Sequence, residues 1–439
     1  MSAIVRDPSH GGFLDSYDIV VAGGGPAGLS AAQVAAAQGL RVLIAEKHAE
    51  IGSPTRTSGG SFIADMVALG VPPHLYHPIR RCRLCGPSAE ATFTTSEPTA
   101  CIINVRGLYQ YLAERAIAAG ATLSPRTQVL GVDPDSGLHQ VVTMRDQTGV
   151  TRRVACSLVI DATGFSSTLA VKAGIHRGYR RAGVGAEYDL YAPNFPEDMC
   201  VLAVGSVIAP AGYAWAFPYG GHRVRAGVGV LRPDVTVDPA AYLHTLLHDY
   251  APLRDAFVGA SPVEVHTGVI PGEGMNDAFV ADGLMTAGDS AGQASSLAGE
   301  GIRFSMYAGR LAGHFGAVAV GRGDVSAAAL APYEDAWRQR FGRNMRLADA
   351  AKNRLYASSD EEWDTLIPLL RGMGADSYAR LMATDFSPGL VLRAVAAAAR
   401  RPRSLPALAR VLTRRPRQTT EAASTSPAAP ARDGVNTLA

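Results

Sequence analysis

Neither sign of charge predominates in this sequence: 41 Lys and Arg stand against 39 Asp and Glu in 439 residues, a formal net charge of +2. So weak a field gives no reason to expect a nucleic-acid partner, and no interleaving of basic and aromatic residues of the RNA-binding kind occurs. Cysteine is scarce and odd in number, at five, which fits reduced thiols inside a cell better than a disulfide framework. Cys82 and Cys85 form one Cys-x-x-Cys, but without a second pair or nearby histidines the pair reads as structural, and no metal is expected. Residues 1–16 lack the basic start and apolar core of a secretory signal, so a cytoplasmic location is expected. The stretch from Cys200 to His222 carries no Asp, Glu, Lys or Arg, yet Pro210, Pro218 and repeated glycine break it into strands and a turn rather than a membrane span. No repeat recurs at a fixed period.

What remains is 47% apolar and 18% charged residues, the balance of a globular protein of two or three intertwined units. After a flexible leader (1–16), Tyr17 to Ala22 is a β-branched apolar run, followed by a glycine cluster, an Ala-rich helix (Ala27 to Gln38) and a second strand (Arg41 to Ala45). That unit needs a right-handed crossover and therefore a parallel sheet. Arg106 to Ala119 reads as a helix, and Thr127 to Ile160 as a β-meander inserted in the first part of this nucleotide-binding unit (17–182). Residues 183–275, rich in Val, Tyr, Phe and Gly, read as an antiparallel substrate sheet. Leu284 to Ala287 returns as a strand and a long helix begins near Gly301, so 276–330 complete the nucleotide fold. Residues 331–416 read as a helical region and 417–439 as a tail too polar to order itself.

The chemistry begins at Gly23-x-Gly25-Pro26-Ala27-Gly28. Its spacing lets the chain turn tightly, brings backbone N–H groups to a pyrophosphate and packs the helix close to the sheet. The helix N-terminus adds about half a positive charge. Glu46, with Lys47 beside it, closes the second strand where a carboxylate can accept from ribose hydroxyls. Two distal strand ends select the cofactor. Val159-Ile-Asp161-Ala-Thr-Gly164 and Gly288-Asp289 each end an apolar strand at small residues; such an Asp can bind ribityl hydroxyls, and Gly299, Gly301 and Ile302 let backbone approach a flavin ring. For Asp161 a purely architectural role weighs as much. No second glycine fingerprint stands between a strand and a helix, so NAD(P)H would dock transiently or a reduced protein donor would supply electrons.

On these motifs the chain resembles the para-hydroxybenzoate-hydroxylase-like superfamily of FAD proteins. The resemblance implies that Asp289 binds the ribityl chain and that Arg106 approaches the cofactor. The alternation in Tyr213-Ala-Trp215-Ala-Phe217-Pro218 puts three rings on one strand face, where they wall an apolar pocket or simply pack the core. Tyr-x-Trp-x-Phe-Pro is similar to the signature of the geranylgeranyl reductase family, as are Ile51-Gly-Ser-Pro-Thr-Arg56 and Gly288-Asp289 followed by Gly301, Ile302 and Arg303. The implied fold is α/β: a Rossmann-type FAD-binding domain interrupted by an antiparallel β-sheet substrate domain, with a helical C-terminal region. The implied activity is saturation of isoprenoid C=C bonds by hydride from reduced FAD, with Tyr213 and Trp215 as catalytic residues, Thr57, Tyr213, Trp215 and Phe217 lining the substrate pocket, and Tyr213 or a water as proton source. Where many members carry Pro-x-x-Cys, this chain has Pro54-Thr-Arg56-Thr57, and a Thr hydroxyl titrates too high to be an easy acid. Monooxygenation of an aromatic or polyketide substrate shares the same FAD contacts; a non-catalytic flavin carrier is the third reading. Pro388 to Arg417 holds eight arginines among Leu, Val and Ala. It reads as a solvated helix or as a peripheral membrane contact.

Overall fold

In the run from Ile19 to Val21 every residue is fully buried, which marks a strand covered on both faces, as in parallel sheets. The computed structural model describes residues 4–6, 13–134, 140–401 and 405–413; the tail expected from 417 lies outside them. Its first sheet has nine strands and is centred on Phe13–Ala22. That strand starts earlier than expected: Phe13 to Ser16 extend it and Ile4–Arg6 pair with it, so part of the assigned leader belongs to the sheet. Val42–Ala45 flanks it in parallel on one side and Thr151–Asp161 on the other. Leu284–Thr286 then adds in parallel to Thr151–Asp161. All these strands end at the same edge of the sheet, the place where open α/β folds bind ligands.

Alternation decides what each face meets. Ile19 and Val21 pack with the helices Pro26–Ala37, Val105–Ala118 and Ile302–Gly321, while Val20 and Ala22 face the meander residues Val129, Val142 and Met144. The two helices Pro26–Ala37 and Ile302–Gly321 cross at backbone contact. A Cβ at Gly309 would lie 2.1 Å from Ala27 O, and one at Gly313 2.3 Å from Ala31 O. Their glycine and alanine content thus sets the spacing and holds the N-terminus of each helix beside the other.

The second sheet has seven strands in the order Ser261–Pro271, Ala182–Tyr191, Arg223–Arg232, Ala209–Pro218, Met199–Gly205, Arg81–Cys85 and Glu90–Thr94. It is antiparallel except where Met199–Gly205 meets Arg81–Cys85. Two of its strands therefore come from residues 81–94, within the stretch read as the first part of the nucleotide domain. Burial of Ala91 and Phe93 between exposed neighbours shows why: their alternation needs a sheet with one covered face. The Ala327–Trp337 helix packs on the Ile302–Gly321 helix in the first core, whereas the helices Asp360–Met373 and Ala375–Met382 cover the Glu90–Thr94 edge of the second sheet; Trp363 and Tyr378 join its core, and Tyr378 stacks on Phe93 with ring centres 3.8 Å apart.

Candidate active site

The glycine loop sits where the first strand meets its helix, and each glycine has its own reason. Gly23 has φ +113°, and a Cβ there would lie 2.2 Å from Ala162 O; at Gly28 it would lie 2.1 Å from Gly23 O. At Gly25 it would meet nothing within 4 Å, because that residue faces an open cleft of about 450 Å³. Gly25 and Gly301 are the N-caps of the Pro26–Ala37 and Ile302–Gly321 helices, and neither helix has a side-chain cap. Two uncapped helix starts, flanked by Pro26, Ala27, Gly288 and Ile302, thus line one cleft, a cradle suited to the phosphates of a dinucleotide.

At the cleft's far wall Asp289 has no hydrogen-bond donor to its carboxylate among the described residues, and burial pushes its pKa up to about 6. A carboxylate left unpartnered in a cleft needs a hydroxyl-bearing occupant, and a ribityl chain fits it. Glu46 is already partly engaged. Gly24 N donates to Oε2 at 2.7 Å, and His48 donates to Oε1 from both its backbone N and ring Nδ1 at 2.7 Å. Three of its roughly four acceptor sites are filled, so it fixes the loop as well as facing the cleft. Lys47 and Arg56 stand at the exposed rim.

Two expected cofactor ligands are placed otherwise. Asp161 is fully buried away from the cleft wall; it accepts from Thr163 N and Oγ1, Leu169 N, Ala170 N and Ser290 Oγ. Its role is architectural, joining two strand-end turns. Arg106 is half-exposed and pairs with Glu50 at 2.5 Å instead of lining the cleft. Tyr109, one turn further on, does line it.

A second, apolar cavity of about 190 Å³ adjoins the cleft and shares Thr57, Gly299, Gly301 and Ile302 with it. Its walls include Phe62, Phe93, Tyr213, Phe217, Trp363 and Tyr378. Tyr213 and Phe217 thus stand where the aromatic pattern put them. The Tyr213 hydroxyl, expected as a proton source, donates instead to Ala298 O at 2.7 Å, and burial raises its pKa. Trp215 is not in this wall. Its indole leans across the sheet over Gly227, and Nε1 donates to buried Glu187 at 2.9 Å. It lines a third cavity of about 100 Å³ that shares Thr57 and Gly299 with the other two. At the chamber floor Glu300 accepts from Arg303 at 2.7 Å, and Arg303 also donates to Asp65. Nothing in the local sequence marks Glu300, between Gly299 and Gly301, or Glu187 as buried, because a charged residue in a strand or glycine run is more often solvated.

Residues 18–202 match the family model described as FAD dependent oxidoreductase, and residues 182–269 the geranylgeranyl reductase catalytic domain. Digeranylgeranylglycerophospholipid reductase 2 of Methanothermobacter thermautotrophicus is 32% identical over 83% of this chain and 94% of its own. The Methanopyrus kandleri protein of the same name is 30% identical over 81% and 90%. Among solved structures, a geranylgeranyl bacteriochlorophyll reductase-like protein from Thermoplasma acidophilum superposes with a TM-score of 0.78, at 24% identity, covering 91% of this chain and all of that one. A flavin-dependent brominase shares the fold at a TM-score of 0.64 and 18% identity.

Proposed function

This chain belongs to the geranylgeranyl reductase family of FAD-dependent oxidoreductases, and we propose that it saturates carbon–carbon double bonds of an isoprenoid lipid chain. The observation that carries this reading is that the aromatic-walled chamber lies against the cofactor cleft, the two sharing Thr57, Gly299, Gly301 and Ile302 as wall residues. Reduced FAD, when bound, supplies hydride. The protein's part is to hold an alkene beside those shared residues and keep bulk water away. Asp289 and the two helix N-termini would hold the cofactor, Gly299 and Gly301 would admit its ring, and Phe217, Trp363 and Tyr378 would pack the chain.

The glycine fingerprint among the described residues forms a cleft for one dinucleotide, which supports an electron donor, NAD(P)H or a reduced protein, that visits and leaves. Peripheral membrane contact is supported by the Pro388–Ala399 helix, which exposes Val391, Leu392 and Val395 near Arg393, Arg400 and Arg401. Among the described residues no helix is long and apolar enough to cross a membrane. Anaerobic incubation with dithionite and prenyl lipids tests the function: product gaining two hydrogens per double bond is expected. Product formed only with oxygen would instead mean monooxygenation.

A further inference from the structure

One row of residues runs straight across the second sheet. Trp215 pairs in register with Gly227, Gly227 with Glu187, and Glu187 with His266, on four successive strands. Since Gly227 has no side chain, Trp215 reaches over it. Its Nε1 donates to Glu187 Oε2 at 2.9 Å, and Glu187 Oε1 lies 3.0 Å from His266 Nδ1. His266 Nε2 in turn lies 2.9 Å from Glu264 Oε2. The His266 and Glu187 side chains are 5% and 4% exposed, whereas that of Glu264 is 58% exposed on the edge strand.

This chain of contacts has a chemical requirement. Ionised carboxylates only accept hydrogen bonds, so a ring held between two of them must donate from both nitrogens. The three groups together therefore carry a proton that a neutral imidazole between two carboxylates lacks. Glu187 and His266 both line the third cavity, whose wall also includes Thr57 and Gly299 at the meeting point of chamber and cofactor cleft.

Resting on the reductase reading, we propose that Glu264, His266 and Glu187 form the proton entry route of this enzyme. Saturating one double bond breaks its π bond and forms two C–H bonds. Two electrons and one hydrogen arrive as hydride, leaving the cofactor oxidised, and the second hydrogen arrives as a proton from solvent. That proton enters at Glu264, crosses the ring of His266 and leaves from Glu187 into the third cavity beside Thr57. An imidazole bonded at both nitrogens passes a proton in at one side and out at the other. Trp215 holds Glu187 by its other oxygen and is a positioning residue.

Charged groups around the ring agree with this role. Burial alone would lower the His266 pKa, but its bonds to Glu187 and Glu264 outweigh that and raise it, with Arg225 opposing. Arg223 and Arg225 help keep Glu264 ionised, after its bond to His266. Arg56 and Lys352 stand on the same cavity wall, and Lys352 is occupied by Asp349 at 2.7 Å.

The test is single-turnover reduction of a prenyl lipid by anaerobic, dithionite-reduced holoenzyme across pH, in H2O and D2O. Glu187→Gln keeps an acceptor for Trp215 and is expected to lose roughly 10²-fold in rate, the scale of general acid catalysis. Its solvent isotope effect should rise while flavin content and apparent lipid affinity hold. Glu264→Gln, whose side chain is 58% exposed, should lose less. In His266→Gln the fall in rate as pH rises through the raised histidine pKa should disappear. Variants matching wild type in rate, pH profile and isotope effect overturn the route alone. A wild-type enzyme that reduces no prenyl lipid overturns the reductase reading and the route together.

Discussion

Trp215 reaches Glu187 across an intervening strand, Nε1 to Oε2 at 2.9 Å, because residue 227 between them is glycine. A Cβ there would lie 2.4 Å from Trp215 Cζ2 and 2.6 Å from the Glu187 Cβ. Gly227→Ala must displace the indole or the strand. We expect a loss of about 1–3 kcal/mol, the usual cost of overpacking, read by thermal melting, with a change in tryptophan fluorescence. An unchanged melt would mean that the strand yields easily.

The glycine loop separates into two kinds of position. Gly28→Ala puts a Cβ 2.1 Å from Gly23 O, so both apo stability and flavin content should fall. Gly25→Ala meets nothing within 4 Å. It should melt as wild type does without cofactor yet retain less FAD, measured by absorbance of the purified protein. Equal FAD retention by Gly25→Ala and wild type would contradict the phosphate cradle.

Asp289 titrates at about 6 against an ordinary 3.8 because burial disfavours its charged form. Its folded pKa is raised, so ionising it costs stability above pH 6, and that cost vanishes as pH falls below the unfolded value. Apo Asp289→Asn should therefore melt higher than wild type at pH 7 and show no such gain at pH 3, while binding FAD more weakly. Weaker FAD binding without the pH-dependent gain would show the site to be more solvated than it looks.

Tyr213→Phe removes the hydroxyl that donates to Ala298 O. A loss of about 1 kcal/mol in stability is expected, with kcat within about threefold of wild type, since general acid loss is far larger. A drop of 10²-fold would return the proton role to Tyr213.

Leu392 is 71% exposed on the Pro388–Ala399 helix. Leu392→Asp should leave the melting temperature unchanged but reduce flotation with anionic vesicles at low salt. Wild-type protein that stays in the unbound fraction would remove the membrane reading.

The parts of this protein that depend on near neighbours were open to reading from the chain alone. The glycine loop, its strand and helix, Glu46 and the Gly288-Asp289 turn are local, because tight turns and helix starts need particular residues at fixed spacing. The face shared by Tyr213 and Phe217 follows from strand alternation. Tertiary structure decided the rest. It gave Asp161 five protein donors and set Arg106 against Glu50, since pairing depends on which groups meet in space. It drew residues 81–94 into the second sheet, a long-range strand pairing that no spacing encodes. The row Trp215, Gly227, Glu187 and His266 exists only through the register of four strands brought together from 187 to 266. Sequence named the cofactor's cradle; register decided which buried charges face the place where it meets the substrate chamber.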